Sequence, residues 1–131
     1  MKIILGTSNF GAPYGISNPR KKLSTNEIKK ILKIAKINKI SLLDTAHNYK
    51  NSEKIIGKFT NIDDFRIITK LPKIKNNFSL IENYIKKSLK RLRRKKIYAV
   101  LVHSIEDLNS PNLKKILSEL NNLKKKKEIK K

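Results

Sequence analysis

Four short apolar runs alternate with four helical stretches along this chain, and that alternation constrains its fold more than any other feature. Lys2 to Leu5 reads as a first strand, ended by Gly6. Residues 6–22 are rich in Gly, Pro, Asn and Ser, the composition of a loop. A helix then opens on Ser24 with Glu27 three residues on, a capping-box pair. Ile28, Ile31, Leu32 and Ala35 follow at helical spacing. Ile40 to Leu43 reads as a second strand, and a short helix spans about Ser52 to Phe59. Phe65 to Lys70 reads as a third strand, stopped by Pro72. Ser79 and Glu82 form a second capping-box pattern, opening a helix through about Arg94. Ile97 to Val102 is the most strand-like run, and a last helix begins near Ser110-Pro111.

These strands are apolar enough to be covered on both faces, which implies a parallel sheet with right-handed crossovers. The expected fold class is α/β, a parallel βαβαβαβα unit in one domain. A chain of 131 residues can bury a core of that kind. No apolar run approaches the roughly 18 to 20 residues of a membrane helix. The N-terminal apolar run is too short for a signal peptide. A cytoplasmic protein is the expectation.

Charge raises a different possibility. The net charge is +22, a standard flag for nucleic-acid binding. However, the basic residues are 27 Lys and only 5 Arg. Lys, Ile and Asn together make up 61 of the 131 residues, and all three have A- and T-rich codons. An AT-rich genome inflates them regardless of function. Base readers favour the arginine fork, and stacking platforms need aromatics, which are 6% here. Specific nucleic-acid binding is not expected. Arg91, Arg93, Arg94, Lys95 and Lys96 read as a solvated helix end, residues 124–131 as a lysine-rich C-terminal tail after a domain of residues 1–123, and the Lys124 to Lys127 run within it as fraying and solvated.

Functional groups in parallel α/β folds gather at the C-terminal ends of strands. The four strand ends here carry Gly6-Thr7, then Asp44 with Tyr49 five residues on, then Lys70, then His103. A carboxylate, a phenol, an amine and an imidazole are delivered to one rim. Each has an ordinary structural alternative when taken alone. Asp44 could cap a loop, Tyr49 could be a half-buried aromatic, and Lys70 is one lysine of many. His47 reads as a loop residue, and two histidines without shared spacing give no metal site.

Taken together, these pieces resemble the aldo-keto reductase family. Leu5-Gly6-Thr7 with Phe10-Gly11 resembles its first strand and loop. Asp44-Thr45-Ala46, Tyr49, Asn51-Ser52-Glu53 and Ile56-Gly57 resemble its longest signature. Ile67 to Lys70, then Ser88 to Leu92 with Leu101-Val102-His103, resemble two later pieces in the same order. The resemblance covers about residues 3–123 and implies the first half of a TIM (β/α)8 barrel that reduces carbonyls with NADPH.

The same resemblance implies the roles. Tyr49 protonates the carbonyl oxygen, Lys70 favours its phenolate, Asp44 anchors Lys70 by an ion pair, and His103 orients the substrate oxygen. A free phenol titrates near pH 10 and a nearby cation lowers that value. Gly6 and Thr7 would lie near the nicotinamide. Family members commonly carry Gly after the tyrosine, where this chain has Lys50. A full barrel runs to about 250 residues, and the family's phosphate-binding loops belong to its last strands. The expectation is therefore a truncated domain, inactive alone, completed by a homodimer or by a complementing half-barrel chain. A non-enzymatic remnant or interaction protein is the alternative.

Overall fold

The computed structural model describes residues 3–13, 23–61, 64–109 and 111–131. Most of the expected loop, residues 14–22, lies outside them, as do Lys2 and Ser110. Four parallel strands form one sheet in the order β1-β2-β3-β4. They are β1 (Leu5–Gly6), β2 (Leu42–Asp44), β3 (Arg66–Leu71) and β4 (Ala99–Val102). The long helices are α2 (Thr25–Ile37), α3 (Ser52–Phe59), α4 (Leu80–Leu92) and α6 (Leu113–Lys125). Two single turns, α1 (Ser8–Gly11) and α5 (Ile105–Leu108), sit directly after β1 and β4, where the sequence offered no periodicity long enough to reveal them. This is the α/β architecture of the first half of a TIM barrel.

Side-chain alternation divides the sheet into two faces. Leu43, Ile67, Thr69 and Leu71 are buried beneath the helices. They join Ile28, Leu32, Ile56, Ile81, Ile85, Leu92, Ile116 and Leu123 in one core. Leu42, Asp44, Ile68, Lys70, Ala99 and Leu101 alternate onto the opposite face, where Leu101 is left exposed.

Local signals held unevenly. The Ser24–Glu27 capping box forms, with Glu27 N donating to Ser24 Oγ and Ser24 N to Glu27 Oε2. The second box does not. Ser79 is already helical, at φ −61° and ψ −20°, and its hydroxyl donates to Asn77 Oδ1 instead. Glu82 turns outward to Lys86 and Lys126. The fourth helix stops at Leu92, because Arg93 takes a left-handed conformation at φ 54°. The last helix begins at Leu113, so Pro111 precedes it rather than opening its first turn.

The C-terminal segment departs furthest from expectation. It does not fray. Lys127 reverses the chain after α6 with φ 62°, and Ile129 is buried at 3% exposure. Ile97 N donates to Glu128 O, and Lys130 N and Lys131 N donate to Ile97 O and Tyr98 O. Ile129 thus pairs parallel with Ile97 on the outer edge of β4. The expected strand run from Ile97 is shared between two neighbours: Ile97 N and Val100 N donate to Glu128 O and Lys131 O, while Ala99 to Val102 pair with β3. The lysines concealed a single apolar anchor and an edge whose backbone groups needed partners.

Replacing Ile129 with Ala should therefore destabilise the fold by about 2–4 kcal/mol, the usual effect of truncating a buried isoleucine. Urea denaturation measures it. A loss near zero would mean that the segment is not docked in solution.

Candidate active site

The site lies on the rim formed by the C-terminal ends of the strands. In the sheet, Asp44 is opposite Ile68, so Lys70 stands two residues further along on the same face. Its ammonium spans that gap. Lys70 Nζ donates to Asp44 Oδ1 at 2.7 Å, to Oδ2 at 2.6 Å and to Thr45 O at 3.0 Å. Three acceptors fix one ammonium, and its side chain keeps only 15% of its exposure.

Tyr49 arrives from the loop after β2. Lys70 Nζ lies 5.2 Å from its ring centroid. His103, just past β4, meets the same ring edge-on at 6.0 Å between centroids. His103 is exposed, while Tyr49 and Lys70 are half-buried. All four residues singled out from the sequence are thus brought together, with Lys70 at the centre.

The loop that carries Tyr49 is held from several sides. Its backbone is tied to β3 by Thr45 N to Ile68 O and His47 N to Lys70 O. Ser52, fully buried at the start of α3, donates to Thr7 O at 2.9 Å and lies 3.0 and 3.1 Å from the hydroxyls of Thr7 and Thr45. Gly11 lies against the Tyr49–Ser52 backbone so closely that a Cβ there would overlap the Tyr49 carbonyl. Lys50 sits at φ 48°, a left-handed conformation that disfavours a side chain by roughly 1–2 kcal/mol. That is the backbone reason for a glycine at this position in the family pattern.

A buried carboxylate braces the other side. Glu53, 1% exposed, accepts from Thr69 Oγ1 at 2.8 Å and pairs with Arg91 at 3.3 Å. Arg91 also donates to the His47 carbonyl. The basic stretch at the end of α4 is therefore not merely a solvated helix end. Arg91 reaches the site loop, and Arg94, 8% exposed, donates to Thr60 Oγ1. The motif Asn51-Ser52-Glu53 carried the signal for this network. Arg91 lay within the Ser88 to Leu92 piece of the pattern and in the basic cluster, but nothing in the sequence tied it to Glu53.

His47 is not a bare loop residue either. Its ring packs edge-on against Tyr84 at 4.9 Å, and Nδ1 is 3.2 Å from Ser88 Oγ. Of the two residues expected near a nicotinamide, only Gly6 is open, since a Cβ there would meet nothing within 4 Å. Thr7 is fully buried and its hydroxyl donates to Asp44 O, so its side chain is committed to the fold. The open strand end at Gly6, beside Asp44, fits a flat ring. No group of three or more His, Cys, Asp or Glu among the described residues could hold a metal. None of their helices is long and apolar enough to cross a membrane.

A model of the aldo/keto reductase family matches residues 2–131. The chain belongs to the aldo/keto reductase family. Among solved structures, a Pseudomonas aeruginosa protein assigned to the aldo-keto reductases superposes with TM-score 0.82 at 27% identity, over 98% of this chain and 52% of its own. An aldo-keto reductase from Bacillus halodurans in its holo form gives TM-score 0.74 at 19% identity, over 98% and 44%. One from Klebsiella pneumoniae in complex with NADPH gives 0.68 at 16%, over 98% and 43%. This aldo/keto reductase chain thus spans about half the length of the solved structures it matches. No curated protein matched it.

Burial holds the His47 imidazole below its usual value of 6.5, opposed in part by the nearby Glu53 carboxylate. A histidine depressed in the folded state contributes no penalty above the unfolded value. As pH falls through and below 6.5, the unfolded chain binds a proton that the folded chain resists, and stability is lost. Thermal unfolding between pH 7.5 and 5 should show this decline, and His47→Gln should flatten it. An unchanged slope in the variant would assign the decline to other groups.

Proposed function

We propose that this chain supplies the catalytic rim of an NADPH-dependent reductase that converts an aldehyde or ketone to an alcohol. The observation that carries the reading is the single ammonium of Lys70, bound to Asp44 and 5.2 Å from the Tyr49 ring, with His103 across that ring. When bound, NADPH supplies the hydride to the carbonyl carbon.

Everything else falls to residues of this chain. Tyr49 donates its phenolic proton to the carbonyl oxygen as negative charge develops there. Lys70 stabilises the phenolate left behind, since a nearby cation favours the charged form. Asp44 keeps that cation in place by accepting two of its hydrogen bonds. His103, exposed at the rim, donates to the substrate oxygen and orients it. Gly6 leaves the floor open for the nicotinamide, as its missing side chain allows. The phosphate grip belongs, in this reading, to later strands.

Further strands in the same assembly complete the site better than a pair of identical half barrels does. Residues 128–131 already occupy the outer edge of β4, so two copies cannot close eight strands through that edge without displacing them. Exposed Ile4 and Leu101, on the face away from the helices, await cover.

A chimera tests the reading. The chain replaces the matching half of the Pseudomonas aeruginosa relative, and NADPH consumption is followed with a panel of aldehydes and ketones. A folded, active chimera that loses at least about 100-fold on Tyr49→Phe is expected. A folded chimera without turnover, or one indifferent to Tyr49→Phe, would overturn it.

A further inference from the structure

Most of the excess lysine is spread over the surface and several grooves gather cations without any acid, but the lining of one of them is cationic throughout. It runs between α3 and α4, away from the catalytic rim, with a volume of about 620 Å³. Its lining is Lys54, Lys58, Lys87, Lys90, Arg91 and Arg93. Lys54 and Lys58 stand one turn apart on α3. Lys87, Lys90 and Arg91 form the facing row on α4, with Arg93 at its C-terminal cap.

Elsewhere some lysines meet carboxylates: Lys36 with Asp64, Lys73 with Glu106, and Lys86 and Lys126 with Glu82. In the groove, among the described residues, only Arg91 pairs with a carboxylate, and that carboxylate, Glu53, is buried beneath it. The remaining five cations repel one another unless an anion lies between the rows.

Codon bias explains lysine abundance but not where arginine falls. Three of the chain's five arginines lie within residues 91–94, and two of them line this groove. Arg91 is held in place by Glu53 and the His47 carbonyl, which pre-orients a guanidinium at the groove. Guanidinium forks and ammonium groups together are the usual partners of phosphate oxygens.

We propose that the α3–α4 groove binds a chain of linked phosphates, an oligophosphate spanning the two cationic rows. A lone phosphate is too small to engage both rows. The lining contains no aromatic residue, so no ring in it offers a stacking platform for a nucleobase, and recognition runs through phosphate oxygens.

The probe is inorganic tripolyphosphate, titrated calorimetrically into the chain at low salt. Two triple variants separate a site from general charge. Lys54→Gln/Lys87→Gln/Arg93→Gln removes three groove cations. Lys114→Gln/Lys124→Gln/Lys125→Gln removes three from a second groove of similar size, about 680 Å³, on α6. All six side chains are exposed, so both variants should keep the fold, which circular dichroism checks. The groove variant should weaken binding by about tenfold, the sum of three solvent-exposed charge contacts, and the α6 variant much less. Equal losses in the two variants would overturn the proposal, because total charge alone would then explain the binding. So would tighter binding of a single-stranded oligonucleotide with the same number of phosphates, since the bases would then carry recognition.

Discussion

The parallel register of β2 against β3 is the constraint on which the rest of the site depends. It sets Asp44 opposite Ile68, so that Lys70, one pleat period further on, projects from the same face. A slip of one residue would turn Lys70 into the core and Leu71 out of it. The register is pinned from the helix side, because Ile67, Thr69 and Leu71 are each buried there and Thr69 donates to Glu53. Packing on one face thereby dictates chemistry on the other. The Lys70–Asp44 ion pair is the product, and the Tyr49 loop settles around it.

Much of this was legible in the residues. The strand–helix rhythm, the core stripes of α2 and α4, and the four rim residues all follow from periodicity and from the family pattern. Boundaries moved by a few residues: among the described residues β1 begins at Leu5, because of residues 3–6 only Leu5 and Gly6 find a partner strand. Other features depended on contacts too distant in sequence to read. The docking of Ile129 needs the free edge of β4, and the reach of Arg91 needs Glu53, 38 residues away. The failed Ser79 cap shows the opposite limit. A local motif was present, but turns closed by Leu80 N to Asn77 O and Ile81 N to Phe78 O lead into the helix and already give Ser79 a helical backbone.

Composition left its mark without setting the architecture. A chain of net charge +22 has only 10 Asp and Glu residues, and four of them hold the structure together at specific points. Asp44 anchors the rim, Glu53 braces the loop beneath it, Asp107 accepts from the Ile74 backbone, and Glu27 completes a helix cap. Lysine even occupies left-handed positions at residues 39, 50, 75 and 127, where glycine or asparagine is the ordinary choice. The backbone adopts the geometry although lysine is not the residue best suited to it.

The most direct test of this account is a double-mutant cycle on Asp44→Asn and Lys70→Met, read by urea unfolding of the chain. Both groups are partly buried and share two hydrogen bonds, so the cycle should give a coupling of about 1–2 kcal/mol. Additive effects, within about 0.3 kcal/mol, would contradict it, because the ion pair from which the rim is built would then not exist in solution.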